Sequence, residues 1–107
     1  MKIDSFYKLP KALFNDDRYK SISTDAKVLY SLLLDQNSLS VKNGWIDNCG
    51  RYYQYFTINE CKEKLSFGHD KIIKLFKELE INGLITRRRQ GKGKPSIIYV
   101  HHFENDI

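Results

Sequence analysis

Basic side chains dominate the chemistry open to this sequence. Arg87, Arg88, Arg89, Lys92 and Lys94 fall in one short stretch, and no acid occurs between Glu80 and Glu104. A local field of one sign attracts polyanions and speeds their encounter. A second group follows Gly68: His69, Asp70, Lys71 and Lys74, with Ile73 among them. Residues three and four apart share a helix face, so on a helix this group makes one polar surface. A helix is also the shape that fits the DNA major groove, where base edges differ. Gly68, His69, Asp70, Lys71 and Lys74 are therefore candidates for base edges, and Arg87 through Lys94 for phosphates.

Other chemistries lack their residues. His69 and the pair His101-His102 have no carboxylate pair or nucleophile–base spacing around them, so no enzyme is expected. Gly91-Lys92-Gly93 has neither the spacing nor the context of a phosphate cradle. Adjacent histidines on a strand point to opposite faces, which leaves no metal or cofactor site. The cysteines, Cys49 and Cys61, show no CxxC spacing and read as free thiols of a cytoplasmic protein.

Composition sets the frame. With 107 residues, 41% hydrophobic and 29% charged, the chain is expected to be one soluble globular domain spanning 1–107, with formal net charge +5. The run Leu32–Leu34 is too short for a bilayer, and Met1–Leu9 lacks a signal-peptide core, so no membrane partner is expected.

The elements that position the basic groups follow from periodicity and punctuation. Pro10 is poised to start a short helix in an arm over about 1–22, with Phe6, Leu9, Leu13 and Phe14 as an apolar face to be buried. Ser23-Thr24-Asp25 caps a helix from about Thr24 to Asn37, with Ala26, Leu29, Tyr30, Leu33 and Leu34 as its core stripe. Gly44 to Phe56 is aromatic and β-branched around an Asn-Cys-Gly turn, and predicts a small hairpin or short strands. Its tyrosines are read as packing residues with wet hydroxyls rather than base stackers.

Thr57-Ile58-Asn59-Glu60 fits a capping box, with Phe56 and Cys61 as the hydrophobic staple, opening a helix from Ile58 to about Leu65. Ser66-Phe67-Gly68 breaks it, with Gly68 as the residue free to take an unusual backbone angle. The next helix begins near His69, buries Ile72, Leu75, Phe76 and Leu79, and ends at Asn82-Gly83. Leu84–Arg89 and Ile97–Val100 then read as antiparallel strands around the loop Gln90–Pro95. Arg87 and Arg89 point to one side and Arg88 to the other, so at most two of the three share a phosphate track with Lys92 and Lys94. The fold class is α+β: a winged helix-turn-helix with an N-terminal arm or short helix and a small β-hairpin wing.

With these residues in place, the chain resembles the N-terminal domain of the RepA_N family, replication initiators of theta-replicating plasmids in low-GC Gram-positive bacteria. The resemblance rests on FYKLPKALF, STDAKVLYSLLLDQNSLS, NGW followed by GRYYQYFT, KIIKLFKELEINGLI and RRRQGKGKPSIIYV. Cys49 departs from a turn that tends to be polar. The resemblance implies binding of double-stranded DNA at plasmid origin repeats, commonly as a homodimer, with a further C-terminal domain and recruitment of host replication proteins. It puts the reading positions on Gly68, His69, Asp70, Lys71 and Lys74 and the wing positions on Arg87 through Lys94. Ile3, Phe6, Tyr7 and Tyr19 are candidates for a partner surface.

Because fold does not fix function, two other readings stand beside this one. One is a winged-helix transcriptional regulator, although the sequence shows no sensor domain. The other is a protein-interaction module whose wing binds an acidic partner.

Overall fold

The computed structural model describes residues 6–103. Its elements in chain order are α1 (Ala12–Asn15), α2 (Thr24–Asn43), α3 (Ile58–Leu65), α4 (His69–Ile81), β1 (Ile85–Arg88) and β2 (Ile97–Val100). Helices α2, α3 and α4 pack around one core, and the antiparallel β1–β2 hairpin closes it from the side. The architecture is a winged helix-turn-helix.

Ser23 starts α2 by accepting the Ala26 N–H at 3.2 Å, with Asp25 at the positive end of the helix dipole. Ala26, Leu29, Tyr30 and Leu33 are wholly buried along the expected stripe. The helix continues past the predicted end at Asn37 to Asn43. The buried Ser40 hydroxyl donates to the Gln36 carbonyl at 3.4 Å, so this serine is satisfied inside the helix. Gly44, at φ 70, supplies the left-handed cap instead.

The segment after Gly44 forms isolated bridges, Ile46 with Tyr52 and Gln54 with Ile98, rather than a hairpin of regular strands. Asp47 is the cause: its carboxylate accepts the N–H groups of Cys49 and Arg51, both at 2.9 Å, and pulls the backbone into a tight turn. Gln54 exchanges both backbone hydrogen bonds with Ile98 at 2.9 Å and donates its side-chain amide to the Leu33 carbonyl at 2.8 Å. It thereby ties the hairpin to α2. The aromatic side chains pack against one another, with Trp45–Tyr55 and Tyr53–Tyr55 centroids 5.5 Å apart and Tyr53 lying 6.4 Å from Tyr99.

The capping box at α3 is present in both directions: Glu60 N–H to Thr57 Oγ1 at 3.2 Å, and Thr57 N–H to Glu60 Oε1 at 3.4 Å. Phe56 and Cys61, the staple pair, are buried. At the turn into α4 it is Ser66, at φ 58, that takes the left-handed conformation, not Gly68. Ser66 occupies the C-cap of α3, the point where the chain must reverse, whereas Gly68 at φ −74 and ψ 165 is the N-cap of α4. Gly83, at φ 74, turns the chain from α4 into the wing.

Strand β1 is shorter than predicted, because the Leu84 N–H bonds the Leu79 carbonyl in the turn and ladder pairing stops at Arg88. The pairs are Ile85 with Val100, Thr86 with Tyr99, Arg87 with Ile98 and Arg88 with Ile97. One hairpin face, with Ile85, Arg87 and Ile98, meets the helices. The other, with Thr86, Arg88 and Tyr99, faces the Asp47–Tyr53 segment.

Of the apolar face expected on the arm, only Leu13 is fully buried, while Phe6 is 72% exposed and Leu9 and Phe14 are 46% exposed. A four-residue helix is too short to turn all four side chains toward one core. Residues after β2 are not a loose tail as far as Phe103. The His101 N–H bonds the Leu84 carbonyl, its own carbonyl accepts the Tyr30 hydroxyl, and Phe103 packs edge-on to Tyr19 and Tyr30. Tyr19 is thus half-buried, and Ile3 lies outside the described residues.

Candidate nucleic-acid interface

Helix α4 is held from beneath by Ile72, Leu75, Phe76 and Leu79. At its flank Glu78 accepts the Ser23 N–H at 2.7 Å and the Ser23 hydroxyl at 2.8 Å, which fixes α4 to the start of α2. Gly68 caps without a side chain, so no side-chain oxygen covers the first-turn N–H groups of α4. Helix N-termini left open in this way favour an outside anionic acceptor.

His69, Asp70, Lys71 and Lys74 are all exposed on the outer side of α4, with Ile73 half-buried. Lys71 is not idle there: its Nζ lies 2.7 Å from Asp25 and 4.1 Å from the Phe67 ring centroid. Lys74 has no such ion pair among the described residues. Lys77, passed over in the sequence reading, lies one turn beyond Lys74, is exposed, and lines the same shallow groove with Lys71 and Lys74. The helical spacing that selected Lys71 and Lys74 also selects it.

In the wing the arginines separate by face. Arg87 turns inward, where its Nε donates to Glu80 at 2.8 Å and its guanidinium sits 5.1 Å from the Phe76 ring centroid. The charge run therefore does have a compensating acid, supplied by the preceding helix. Arg88 turns outward, and Arg89 lies beyond the last paired residue. Lys92 and Lys94 are exposed on the tip, where Gly91 and Gly93 adopt φ 132 and 81. Between α3, α4 and the wing lies a cleft of about 290 Å³ with Asn59, His69, Arg87 and Ser96 in its walls. The start of α4, at His69, and the wing, at Arg87 and Ser96, thus border one cleft.

Among the described residues no group of three or more His, Cys, Asp or Glu side chains could hold a metal ion. The rings of His101 and His102 go separate ways, the first to the Thr86 hydroxyl at 2.6 Å and the second toward Asn37 at 3.4 Å. Burial, reinforced by the charges of Arg51 and His102, holds the His101 pKa below its ordinary value. Burial, with a smaller contribution from Glu60, pushes the Cys61 thiol up to about 12, so it stays protonated in the core. No helix among the described residues is long and apolar enough to cross a membrane.

A three-helix core, a recognition-type helix with an exposed basic face and a basic hairpin beside it define the class as a winged helix-turn-helix of the DNA-binding kind. The chain belongs to the RepA_N family, the N-terminus of replication initiator protein A (RepA), which it matches over residues 5–107. A Lactobacillus helveticus protein described as a "41 kDa protein" is 34% identical over 107 residues, covering 94% of this chain and 30% of that protein. The chain thus spans less than a third of that relative's length. A solved structure described as "N-Terminal domain of DNA binding protein" superposes with a TM-score of 0.82 at 35% identity, over 92% of this chain and 76% of that one. The same values hold for one described as "Structure of Rep-DNA complex". "Structure of MDR initiator" gives 0.79 at 37% identity, over 92% and 78%.

Proposed function

We propose that this chain binds double-stranded DNA sequence-specifically at the repeats of a plasmid replication origin, as the N-terminal part of a replication initiator. The observation that carries the reading is that α4, with its exposed basic face, packs against the first strand of the basic hairpin, His69 and Arg87 lining one cleft. The likeness to a structure described as a Rep–DNA complex, at 35% identity, supports it.

In this reading His69, Asp70, Lys71 and Lys74 face base edges from the major groove, and the Gly68 turn leaves the first amides of α4 open to a phosphate. Arg88, Arg89, Lys92 and Lys94 engage backbone or minor groove. Arg87, tied to Glu80, serves by fixing the angle between wing and helix. No catalytic residue and no cofactor enters, and the protein works in the cytoplasm. A second copy meets the exposed Phe6, Tyr7 and Leu9, giving a homodimer. Host replication proteins are engaged by portions of the longer protein that the relative's length implies. Footprinting tests the reading: protection of origin repeats is expected, and protection of a promoter alone would replace it with transcriptional regulation.

A further inference from the structure

The outer face of the wing sets Arg88, already a wing candidate, beside a cation that neither the sequence motifs nor the resemblance gave a role. That cation is Arg51, in the turn after Asp47. The guanidinium lies 4.5 Å from the Tyr99 ring centroid, stacked on the hairpin face that looks away from the helices. Arg88 shares that face, because Thr86 stands opposite Tyr99 and Arg88 opposite Ile97. Arg51 therefore stacks on Tyr99, and Arg88 stands on the same face at the diagonal position.

The charges of Arg51 and Arg88 both act on the Tyr99 phenol, against the opposing charge of Asp47, so two cations and one carboxylate share this patch. The surrounding carboxylates are already engaged. Asp47 accepts the Tyr99 hydroxyl at 2.9 Å together with the Cys49 and Arg51 N–H groups, and Asp16 is taken up by Arg18 at 2.8 Å. Among the described residues neither Arg51 nor Arg88 has an ion pair.

Arg51 also borders an open cleft of about 890 Å³, shared with Tyr52, Asn37, His101 and His102. His101 in that cleft has its pKa lowered mainly by burial, and further by the charges of Arg51 and His102. Tyr52, 40% exposed, adds a flat ring beside the cations. Through Arg88 the surface is continuous with the Arg89–Lys94 wing.

We infer that Arg51 and Arg88 form a second phosphate-binding site on the outer face of the wing, which takes the backbone of the same DNA duplex beyond the segment read by α4. The inference rests on the proposed DNA-binding function and extends it. Arg51 stacks on Tyr99 so that its charge is held in place, and a phosphodiester replaces water against the exposed edge of the guanidinium. The ligand class follows from the charge and from the planar, multiply donating guanidinium. An acidic protein segment would need the same charge, and the test separates the two.

Phosphate contacts do not depend on base sequence, so the probe can be a mixed-sequence duplex of roughly 30 base pairs, titrated at several salt concentrations. For Arg51→Ala the salt slope is expected to fall by roughly 0.9, the release of one counterion-neutralising contact, with Arg51→Lys restoring it. Circular dichroism melts of the variants show whether the fold is kept, and Arg51→Gln, which removes the charge but keeps most of the side chain, carries the test with the same expected fall in slope if the alanine variant unfolds. An Arg51→Ala slope equal to that of the unsubstituted chain, while Lys92→Ala lowers it, overturns the outer-face site and leaves the proposed function standing. Unchanged slopes in both overturn the DNA reading itself. Loss of poly-glutamate binding with unchanged duplex binding in Arg51→Ala overturns the site in favour of an acidic protein partner.

Discussion

Lys71 on helix α4 and the lysines of the wing tip are held in opposite ways. On α4, Lys71 is fixed between Asp25 at 2.7 Å and the Phe67 ring at 4.1 Å, on a helix anchored by buried side chains and by the Ser23–Glu78 hydrogen bonds. In the wing, Lys92 and Lys94 stand exposed on a glycine-punctuated loop with no ion pair among the described residues. Ordering a free lysine side chain costs up to about 2 kcal/mol of rotamer entropy. A cation already fixed has met that cost in folding and can discriminate between geometries. A mobile one supplies charge wherever a phosphate lies. Under the proposed function, the difference favours base discrimination by the fixed cation of the helix and sequence-independent affinity from the wing tip.

The largest expected effect breaks the helix half alone. Lys71→Ala should cost about 1–3 kcal/mol of binding to an origin repeat and little to a scrambled duplex. Fluorescence anisotropy on the two duplexes measures the ratio, and equal losses on both would erase the contrast between helix and wing.

Gly93→Ala comes next and acts through the backbone of the wing tip. At φ 81 the site is left-handed, and nothing lies within 4 Å of an added Cβ, so the penalty is conformational and not steric. A loss of about 1–2 kcal/mol in urea unfolding is expected if the loop keeps its shape. Unchanged stability would mean that the tip relaxes into another conformation, which sharpens the view of the wing as the adaptable half.

Lys92→Ala is smaller again. Binding should weaken evenly across specific and scrambled duplexes, with the salt slope lowered by roughly 0.9. A change in the ratio between the duplexes would instead make Lys92 a reader of sequence.

How far this contrast was legible in the sequence depended on the range of the interaction that set each feature. The α3 capping box, the α4 stripe and the Gly83 turn are encoded within four residues, and all stand where the spacing placed them. Strand alternation correctly put Arg87 and Arg88 on opposite faces. It could not say which face was the inner one, because that depends on how the wing folds back onto Phe76 and Glu80. The end of α2 was missed because Asn37, Ser38 and Asn43 read as loop formers, whereas Ser40 satisfies its hydroxyl within the helix. Arg51 carried no local signal at all: its stacking on Tyr99 joins residues far apart in the chain.

The smallest expected effect converts one kind of cation into the other. Asp25 and Lys71 are each about half exposed, so their pair contributes at most about 1 kcal/mol to stability. Asp25→Asn should therefore scarcely move the unfolding midpoint, since asparagine at that helix start leaves the Ser23 cap intact. Its effect on DNA should go the other way from a lost contact. Removing the carboxylate frees the Lys71 ammonium for a phosphate and takes a negative charge from beside the duplex, so scrambled-sequence binding should strengthen. The salt slope should steepen by up to roughly 0.9. Specific binding should gain less, because a lysine released from Asp25 also loses its fixed geometry. The specificity ratio then falls although both affinities rise. If instead both affinities drop together, Asp25 positions Lys71 for the reading step, and the fixed cation rather than the free one is the form that meets DNA.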